Sequence, residues 1–335
     1  MSLSIHQKEG TPQVAACGVP DSNPVETTTE KEESMLLQYT PVNQAALRHF
    51  GLPRSPFVGD VQTRADVFQG PAMRYARAAL LDAANNAGFM ALIGESGAGK
   101  TTLLEELEQR LIDEGKDIAV IKPYVLGMES NDTKGKTLRA THIAEAIAYT
   151  LDPALKIKSS PQTRFQQLHD LLKASRRAGR RHLLVIDEAH CLPLATLKHL
   201  KRFIELKEGM TRLIGVALIA QPELRNLLHS QNPEVREIMQ RCELIDLPAL
   251  DNDLEAYLAH KFARFDLKPS DVFEPCAFNA IRARLIRVPR GAKAGDGGAI
   301  STCYPLAVHN LVARAMNAAS AAGYPKVDAQ VVAHC

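Results

Sequence analysis

The chain has 335 residues and a formal net charge of +2 at pH 7, and its 45% hydrophobic and 23% charged residues are typical of a soluble globular protein with two or three subdomains. No apolar run approaches the roughly 18 residues of a membrane-spanning helix, and no apolar segment typical of a signal peptide opens the chain. Six scattered cysteines without a C-x-x-C pair argue against a zinc site and a disulfide framework, and they favour a reducing cytoplasm.

The first 34 residues differ in composition and charge from the rest of the chain. They are rich in Thr, Pro, Ser and Glu and hold two lysines against six carboxylates, so that the remaining residues carry a net charge of +6. Because so few large apolar groups cannot offset the entropy of ordering, we predict a disordered acidic tail over residues 1–37. A flexible partner-binding arm is the alternative. The mildly basic remainder is compatible with nucleic-acid binding.

Residues 90–102 (MALIGESGAGKTT) run a short apolar strand into a glycine-rich loop. The loop fits G-x-x-x-x-G-K-[ST], the phosphate-binding loop of nucleotidases. Its glycines allow backbone N–H groups to point at an anion, and the helix that begins near Lys100 directs its positive end toward the same place. We expect Lys100 to reach the β- and γ-phosphates of ATP and Thr101 to hold Mg²⁺. The predicted nucleotide-binding residues are Gly94, Gly97, Ala98, Gly99, Lys100, Thr101 and Thr102.

The segment before this loop is expected to begin the folded part near residue 38 and to include a helix that ends at about residue 86. Pro56 and Phe57 are candidates for walling the adenine base, but packing of Phe50 and Phe57 into the core explains the same residues equally well. After the loop we predict a helix over 100–114 and a strand over 117–126. A polar, flexible segment over 127–139 follows, then helices over 141–151 and from 160 to the basic turn at 173–181.

The stretch HLLVIDEAH (182–190) places an acidic pair at the end of an apolar strand. In open α/β sheets ligands bind at the carboxyl ends of the strands, where Asp187 and Glu188 fall. We expect Asp187 to hold Mg²⁺, usually through water, and Glu188 to act as general base toward the attacking water.

The next segments continue the alternation of helix and strand. A helix is predicted over 194–208, and a buried strand over 211–224 leaves Gln221 at its tip. There Gln221 could sense the γ-phosphate or position water, and the alternative is a helix-start residue before Pro222. A helix over 233–240 carries Arg236, and Arg241 precedes a strand over 242–247.

Strand and helix therefore alternate through 90–248, which implies a parallel sheet with right-handed crossovers. From residue 250 the pattern indicates helices only, over 252–265, 275–287 and 304–321. We predict an α/β nucleotide-binding domain over 38–248 and a small helical lid domain over 249–335.

The order of these motifs resembles that of the AAA+ ATPases. The stretches FGLPRSPF with DVF, GFMALIGESGAGKTTLLEEL, LLVIDEAH, GVALIAQPEL and LDNDLEAYLAHKF are similar to one subgroup, which contains the ExeA-type secretion ATPases and the DNA-transposition helpers of the MuB and TnsC type. The resemblance covers about residues 45–320. It implies a P-loop AAA+ parallel sheet flanked by helices, with a C-terminal helical lid, and ATP binding with Mg²⁺ by the residues named above.

The resemblance also implies further roles. Gln221 matches the sensor at the tip of the fourth strand, and Arg241, with Arg236 as second choice, matches an arginine finger that reaches the γ-phosphate of a neighbouring subunit. Hydrolysis would then depend on assembly. The chain departs from the family pattern at Cys303-Tyr304-Pro305-Leu306, where relatives often have Gly-x-Pro-Arg. The missing arginine suggests slow hydrolysis or a substitute such as Arg314, for which a surface or structural role is the alternative.

The subgroup offers two classes of partner. Its secretion members carry a membrane span and a cell-wall-binding region that this sequence lacks, which favours the transposition helpers and no membrane partner. In that branch ATP-bound subunits assemble as rings or helical filaments on duplex DNA and present it to a transposase. Contacts would be to the DNA backbone, with little base readout. The main candidates are Lys134, Lys136, Arg139, Lys198, Lys201 and Arg202; the arginine turn at 176–181 and Arg282, Arg284, Arg287 and Arg290 are further ones.

Two other functions remain open at this point. One is a protein-remodelling or secretion-linked ATPase whose partner is a protein. The other is a nucleotide-gated scaffold with negligible turnover.

Overall fold

The computed structural model describes residues 38–59, 61–123, 138–228, 235, 237, 238, 240–287 and 299–335. The predicted acidic tail, Lys134, Lys136, Arg236 and Arg290 lie outside the described residues. Residues Tyr39–Cys335 group into one unit by their contacts. The domain boundary between residues 248 and 249 stays a prediction.

The first half of the described chain alternates helices with strands that lie in one sheet. Its elements are α1 (Gln44–His49), a 3₁₀ helix (Arg64–Asp66), α2 (Pro71–Asn86), β1 (Phe89–Ile93), α3 (Lys100–Asp113), β2 (Ile118–Ile121), α4 (Ala140–Leu151), α5 (Pro161–Arg177) and β3 (Arg181–Ile186). Proline at the first position of α2 and α5 suits a helix start, because the missing N–H would have no intrahelical acceptor there.

The second half completes the sheet and adds a mainly helical segment. A second 3₁₀ helix (Ala189–Cys191) precedes α6 (Leu194–Ile204), β4 (Lys207–Glu208), β5 (Thr211–Arg212), β6 (Gly215–Ala220), α7 (Leu224–Leu228) and β7 (Glu243–Asp246). After these come α8 (Leu254–Ala263), α9 (Pro269–Val272), α10 (Pro275–Arg284), β8 (Ile286–Arg287), β9 (Ile300–Ser301), α11 (Pro305–Ala322) and α12 (Ala329–Ala333).

Five parallel strands form the central sheet in the order β2-β3-β6-β1-β7. Every residue of β1 and β6 is buried, as expected for a parallel sheet covered on both faces. Successive residues of β1 enter different cores: Ala91 and Ile93 pack with α4, α5 and α6, whereas Met90 and Leu92 pack with α2 and α3. The predicted parallel sheet between two helical layers is thereby confirmed.

Several predicted segments differ from the structure. The strand expected over 211–224 is shorter and spans Gly215–Ala220, because Thr211–Arg212 belong to the hairpin of β4 and β5. The helix expected over 194–208 ends at Ile204, because Gly209, with φ of 59°, turns the chain so that β4 and β5 pair as an antiparallel hairpin. The expectation of helices only after residue 250 is wrong, since β8 and β9 pair with each other. Among the residues that the structure describes, none of the helices combines the length and the hydropathy that crossing a bilayer requires.

Candidate active site

The carboxyl ends of β1, β3 and β6 meet at one edge of the sheet, because these three strands are neighbours. The glycine-rich loop follows β1, Asp187 and Glu188 follow β3, and Gln221 follows β6. All of them line one cleft of about 370 Å³, together with residues from the segment after 249. The structure thus brings the sequence-predicted loop, acidic pair and sensor together.

The loop has the backbone shape that its glycines predict. Gly97 and Gly99 adopt φ of 76° and 93°, in the region where residues with a Cβ are strained, and α3 begins at Lys100. The Lys100 side chain is only 9% exposed, and its Nζ donates to the carbonyl oxygens of Gly94 at 2.7 Å and Glu95 at 2.9 Å. Burial lowers the pKa of Lys100, and the nearby carboxylates of Glu188 and Asp187 oppose that shift. The loop therefore holds a desolvated cation at its base.

The acidic pair is held in a short hydrogen-bonded chain. The backbone N–H of Glu188 donates to Oδ1 of Asp187 at 2.8 Å, and Nε2 of Gln221 lies 3.4 Å from Oε2 of Glu188. His190 completes the chain: Gln221 N–H donates to its Nδ1 at 3.4 Å, and its Nε2 lies 3.4 Å from the same Glu188 oxygen. Because Nδ1 accepts, Nε2 carries the proton and faces the carboxylate. His190 was not predicted from the sequence as a site residue, although it is the last residue of the D-E-A-H run.

Residues of the same cleft can supply the oxygens that Mg²⁺ prefers. The Thr101 hydroxyl and the Asp187 carboxylate both line the cleft. Among the described residues there is no group of three or more His, Cys, Asp or Glu side chains that could hold a metal ion. These two oxygens fit a magnesium ion whose remaining ligands are phosphate oxygens and water, as is usual for this ion.

The departure from the family pattern at Leu306 falls directly on the loop. Leu306 N–H donates to the carbonyl oxygen of Gly97 at 3.3 Å, and a Cβ added to Gly97 would overlap the Leu306 side chain. Arg314 lies two turns further along α11, donates from Nε to the Asn310 carbonyl at 3.4 Å, and is absent from the described residues that line the cleft. An apolar side chain therefore occupies the position where relatives often place an arginine.

Another part of the cleft lining is aromatic, and its residues were not predicted from the sequence to belong to the site. Phe68 packs edge-on against Tyr257, with ring centroids 5.3 Å apart, and the Tyr257 hydroxyl lies 2.6 Å from Nε2 of His309. Phe57 stacks on His309 at 4.6 Å and is absent from the described lining residues, so its position matches the core-packing alternative. The D-V-F motif at 66–68 was the sequence feature nearest to this wall.

Comparisons with known proteins agree with this geometry. Residues 83–228 match the sequence model of a family described as AAA domain. The general secretion pathway protein A of Aeromonas hydrophila is 30% identical over 209 residues, which are 61% of this chain and 35% of that protein. The chain thus spans about a third of the length of this curated relative.

Among solved structures, Cdc6p from Pyrobaculum aerophilum is similar in fold, with a TM-score of 0.50 at 17% identity over 81% of this chain and 67% of that one. The fold is that of the P-loop AAA+ ATPases. The match to the AAA domain supports ATPase activity in general.

The cleft contains no arginine among the described residues that line it; its lysines there are Lys100 and Lys261. The predicted finger Arg241 lies elsewhere on the surface, where its guanidinium pairs with Glu205 at 3.0 Å and with Glu237 at 3.3 Å. A positive charge from an arginine would therefore have to reach this cleft from outside the described residues that line it.

The predicted DNA-contacting residues that the structure describes are distributed over two elements. Arg139 is exposed just before α4, and Arg202 is exposed on α6. On α6, Lys198 is half-buried, and Lys201 forms an ion pair with Glu237 at 2.7 Å. Arg282, a further candidate, bonds to Glu255 and to the Asp251 carbonyl, which ties it to the helical segment.

Proposed function

We propose that this chain is a Mg²⁺-dependent ATPase that assembles on duplex DNA as a ring or helical filament and regulates DNA transposition by recruiting or activating a transposase at the target DNA. One observation carries the proposal. The cleft unites the phosphate-binding loop, the acidic pair and the sensor glutamine but has no arginine among its described lining residues. Such a site is completed by a second copy of the chain, which couples hydrolysis to assembly.

Each residue of the cleft has a defined task in this proposal. The backbone N–H groups from Gly97 to Thr102 and the Lys100 ammonium hold the phosphates. Thr101 and Asp187 hold Mg²⁺, which when bound neutralises charge on the β- and γ-phosphate oxygens. Glu188 accepts the proton of the attacking water, and its carboxylate is oriented by Gln221 and His190.

Arg241 is our candidate for the group that enters the cleft of a neighbouring copy. Its guanidinium is exposed and pairs only with the exposed carboxylates of Glu205 and Glu237 among the described residues. Exchange of such surface pairs for a triphosphate costs little, because exposed ion pairs contribute about 0–1 kcal/mol. Arg236 remains the second choice.

The DNA part of the proposal is supported by charge. Outside residues 1–34 the chain has a net charge of +6, and its basic residues cluster in short segments. Backbone contacts by lysine and arginine are independent of base sequence and sensitive to salt.

A specific observation favours a second candidate. The 30% identity with a general secretion pathway protein fits a secretion-linked or protein-remodelling ATPase whose partner is a protein. Since the match covers only part of that relative, the partner is what separates the two candidates.

Sedimentation and ATP hydrolysis measured in the same samples test the proposal. We expect fast-sedimenting assemblies only with ATP, Mg²⁺ and duplex DNA, and hydrolysis that rises with assembly. Lys100→Ala abolishes both, whereas the control Lys116→Ala, which removes an ammonium paired with Glu114 outside the described cleft lining, changes neither.

Glu188→Gln separates turnover from scaffolding. We expect it to lower hydrolysis by about 10²–10⁴-fold while assembly persists, because a general base contributes that much. A rate that does not fall would favour the scaffold with negligible turnover. Protein that stays monomeric in every mixture would exclude the filament, and hydrolysis indifferent to DNA but raised by a protein partner would favour the second candidate.

A further inference from the structure

A second pocket lies at the edge of the sheet opposite to the cleft. It is formed where α2 ends, where β3 begins at Arg181, and where the β4–β5 hairpin leads into β6. Because all five strands are parallel, their amino ends lie at this edge and the nucleotide-binding loop at the other. The pocket has a volume of about 370 Å³. We call it the arginine pocket, and its polar lining consists of Asn85, Asn86, Arg176, Arg181, Thr211 and Arg212, with the buried His182 behind them.

The charge of the arginine pocket is of one sign. Three guanidiniums line it, and no carboxylate is present among the described residues that do so. Arg181 donates from Nη1 to Oδ1 of Asn85 at 2.8 Å, a neutral acceptor. The guanidiniums of Arg176 and Arg212 make no hydrogen bond or ion pair with another described residue. The nearest acidic residue on α2, Asp82, accepts from Asn86 and is outside the lining.

Two other arginines of the basic turn at 173–181 differ from Arg176, because each forms an ion pair with a carboxylate. Arg177 pairs with Glu208, and Arg180 pairs with Asp117 at 2.8 Å. Neither of them lines the arginine pocket. The chain therefore places a carboxylate against the arginines that face away from the pocket and none against those that face into it.

The wall behind the guanidiniums is held by a buried histidine. His182 is 1% exposed, and its two ring nitrogens lie 2.8 Å from the Leu213 carbonyl and 2.8 Å from the Ser175 hydroxyl. These bonds connect α5 and β3, which carry Arg176 and Arg181, with Leu213, the residue that follows Arg212. Burial lowers the pKa of His182, the hydrogen bond to the Leu213 carbonyl opposes that shift, and the positive charges of Arg176 and Arg180 lower the pKa further.

We propose that the arginine pocket binds a phosphate group through the guanidiniums of Arg176, Arg181 and Arg212. Planar guanidiniums match the oxygens of phosphate in pairs of parallel hydrogen bonds, and an anion would relieve the repulsion among three neighbouring cations. The phosphate can come from the backbone of duplex DNA or from a free phosphate ion. Phosphate binding in this pocket does not rest on nucleotide binding in the cleft, which lies at the other edge of the sheet. Binding of a DNA phosphate would deepen the proposed function and rests on it.

Melting temperatures of the full chain test phosphate binding. All variants carry Lys100→Ala, which removes the phosphate-binding lysine of the cleft, and each is heated in inorganic phosphate and in chloride at equal ionic strength. We expect phosphate to raise the melting temperature of Lys100→Ala and of the control that adds R177Q, and this rise to vanish when R176Q and R212Q are added instead. If the variant that carries both R176Q and R212Q does not fold in chloride, the variant with R212Q alone replaces it. An equal response of all variants would overturn the proposal.

Fluorescence anisotropy with a labelled 20-base-pair duplex identifies the source of the phosphate. If DNA supplies it, R176Q/R212Q weakens binding by about tenfold or more and lowers the slope of log affinity against log salt by about 2, because each neutralised phosphate contributes about 0.9. The control R177Q, which removes the arginine that pairs with Glu208, changes the affinity for DNA by less than about twofold. Loss of the phosphate effect with unchanged DNA affinity assigns the pocket to a free phosphate ion. If the melting test fails, the proposed DNA-dependent ATPase function is still tested separately by sedimentation and ATP hydrolysis.

Discussion

Glu188 has φ of 49°, a left-handed conformation that costs a residue with a Cβ on the order of 1–2 kcal/mol. The bond from its N–H to Asp187 and its contacts with Gln221 and His190 hold it there. Strained residues of this kind concentrate at functional sites, where the strain aims a side chain. Here the Glu188 carboxylate lies 3.4 Å from the Gln221 amide, so that the residues after β3 and β6 meet in the cleft.

Leu306 allows a prediction for a single side chain. Leu306→Arg would place a guanidinium beside Gly97, where Leu306 is 43% exposed and lines the cleft. We expect the Kd for ATP to fall about tenfold or more, since hydrogen bonds to charged groups contribute about 1.5–3 kcal/mol. Isothermal titration calorimetry with ATP and Mg²⁺ measures this.

The neutral variant Leu306→Gln separates charge from packing. It should leave the Kd near that of the unaltered chain. If both variants bind ATP alike, the guanidinium does not reach the phosphates and the position carries no charge-dependent role.

At the scale of elements, the site depends on how closely α2 approaches the sheet. A Cβ added to Gly215, the first residue of β6, would overlap the carbonyl oxygen of Ala83 on α2. Glycine in a strand interior usually weakens it, but here it permits backbone contact between the two elements. This contact positions β6, whose far end carries Gln221.

Gly215→Ala tests that contact. We expect the free energy of unfolding to fall by about 2–3 kcal/mol, because overpacking forces the backbone of α2 or β6 to move. Chemical denaturation in urea measures the change. Gly115→Ala is the control. Its Cβ would meet no atom within 4 Å, so that only the strain of its φ of 59° remains, at a cost of about 1–2 kcal/mol. An equal loss in both variants would mean that close packing at Gly215 is not the cause.

At the scale of the whole molecule, the composition of the cleft and the position of Arg241 bear on assembly. The cleft has carboxylates and Lys100 but no arginine among its described lining residues, whereas Arg241 is exposed beside Glu205 and Glu237. In our proposal, the exposed Arg241 of one copy completes the cleft of another copy. Assembly is therefore the level at which we expect hydrolysis to be controlled.

Mixing two inactive variants tests control by assembly. Arg241→Ala retains the loop but lacks the finger, and Lys100→Ala retains the finger but lacks the loop lysine. If the finger acts between subunits, a mixture of the two forms some complete sites and regains part of the ATP hydrolysis, whereas each variant alone stays inactive. A mixture as inactive as its components would place the catalytic arginine in the same subunit or at another residue. Arg110→Ala, which breaks only a pair with Glu114, is the control and should hydrolyse ATP normally.

Much of the fold and of the cleft was predictable from the amino-acid sequence, because the determining features are local. A buried parallel strand is a run of apolar residues, and the phosphate-binding loop is one continuous segment whose glycines and helix start act within eight residues. The neighbourhood of Asp187, Glu188 and Gln221 followed from the rule that parallel strands end at one edge.

Other features depend on residues far apart in the chain, and only the tertiary structure decides them. Leu306 meets Gly97 across more than 200 residues, and the wall of Phe68, Tyr257 and His309 combines three segments that are distant in the sequence. The arginine pocket has the same origin, since sequence spacing cannot tell which arginines of the 173–181 turn face Arg212 and which face Glu208 or Asp117. Local propensity determines which elements form; the packing of helices on the sheet determines which side chains share a solvent-filled space, and with it where a phosphate can bind.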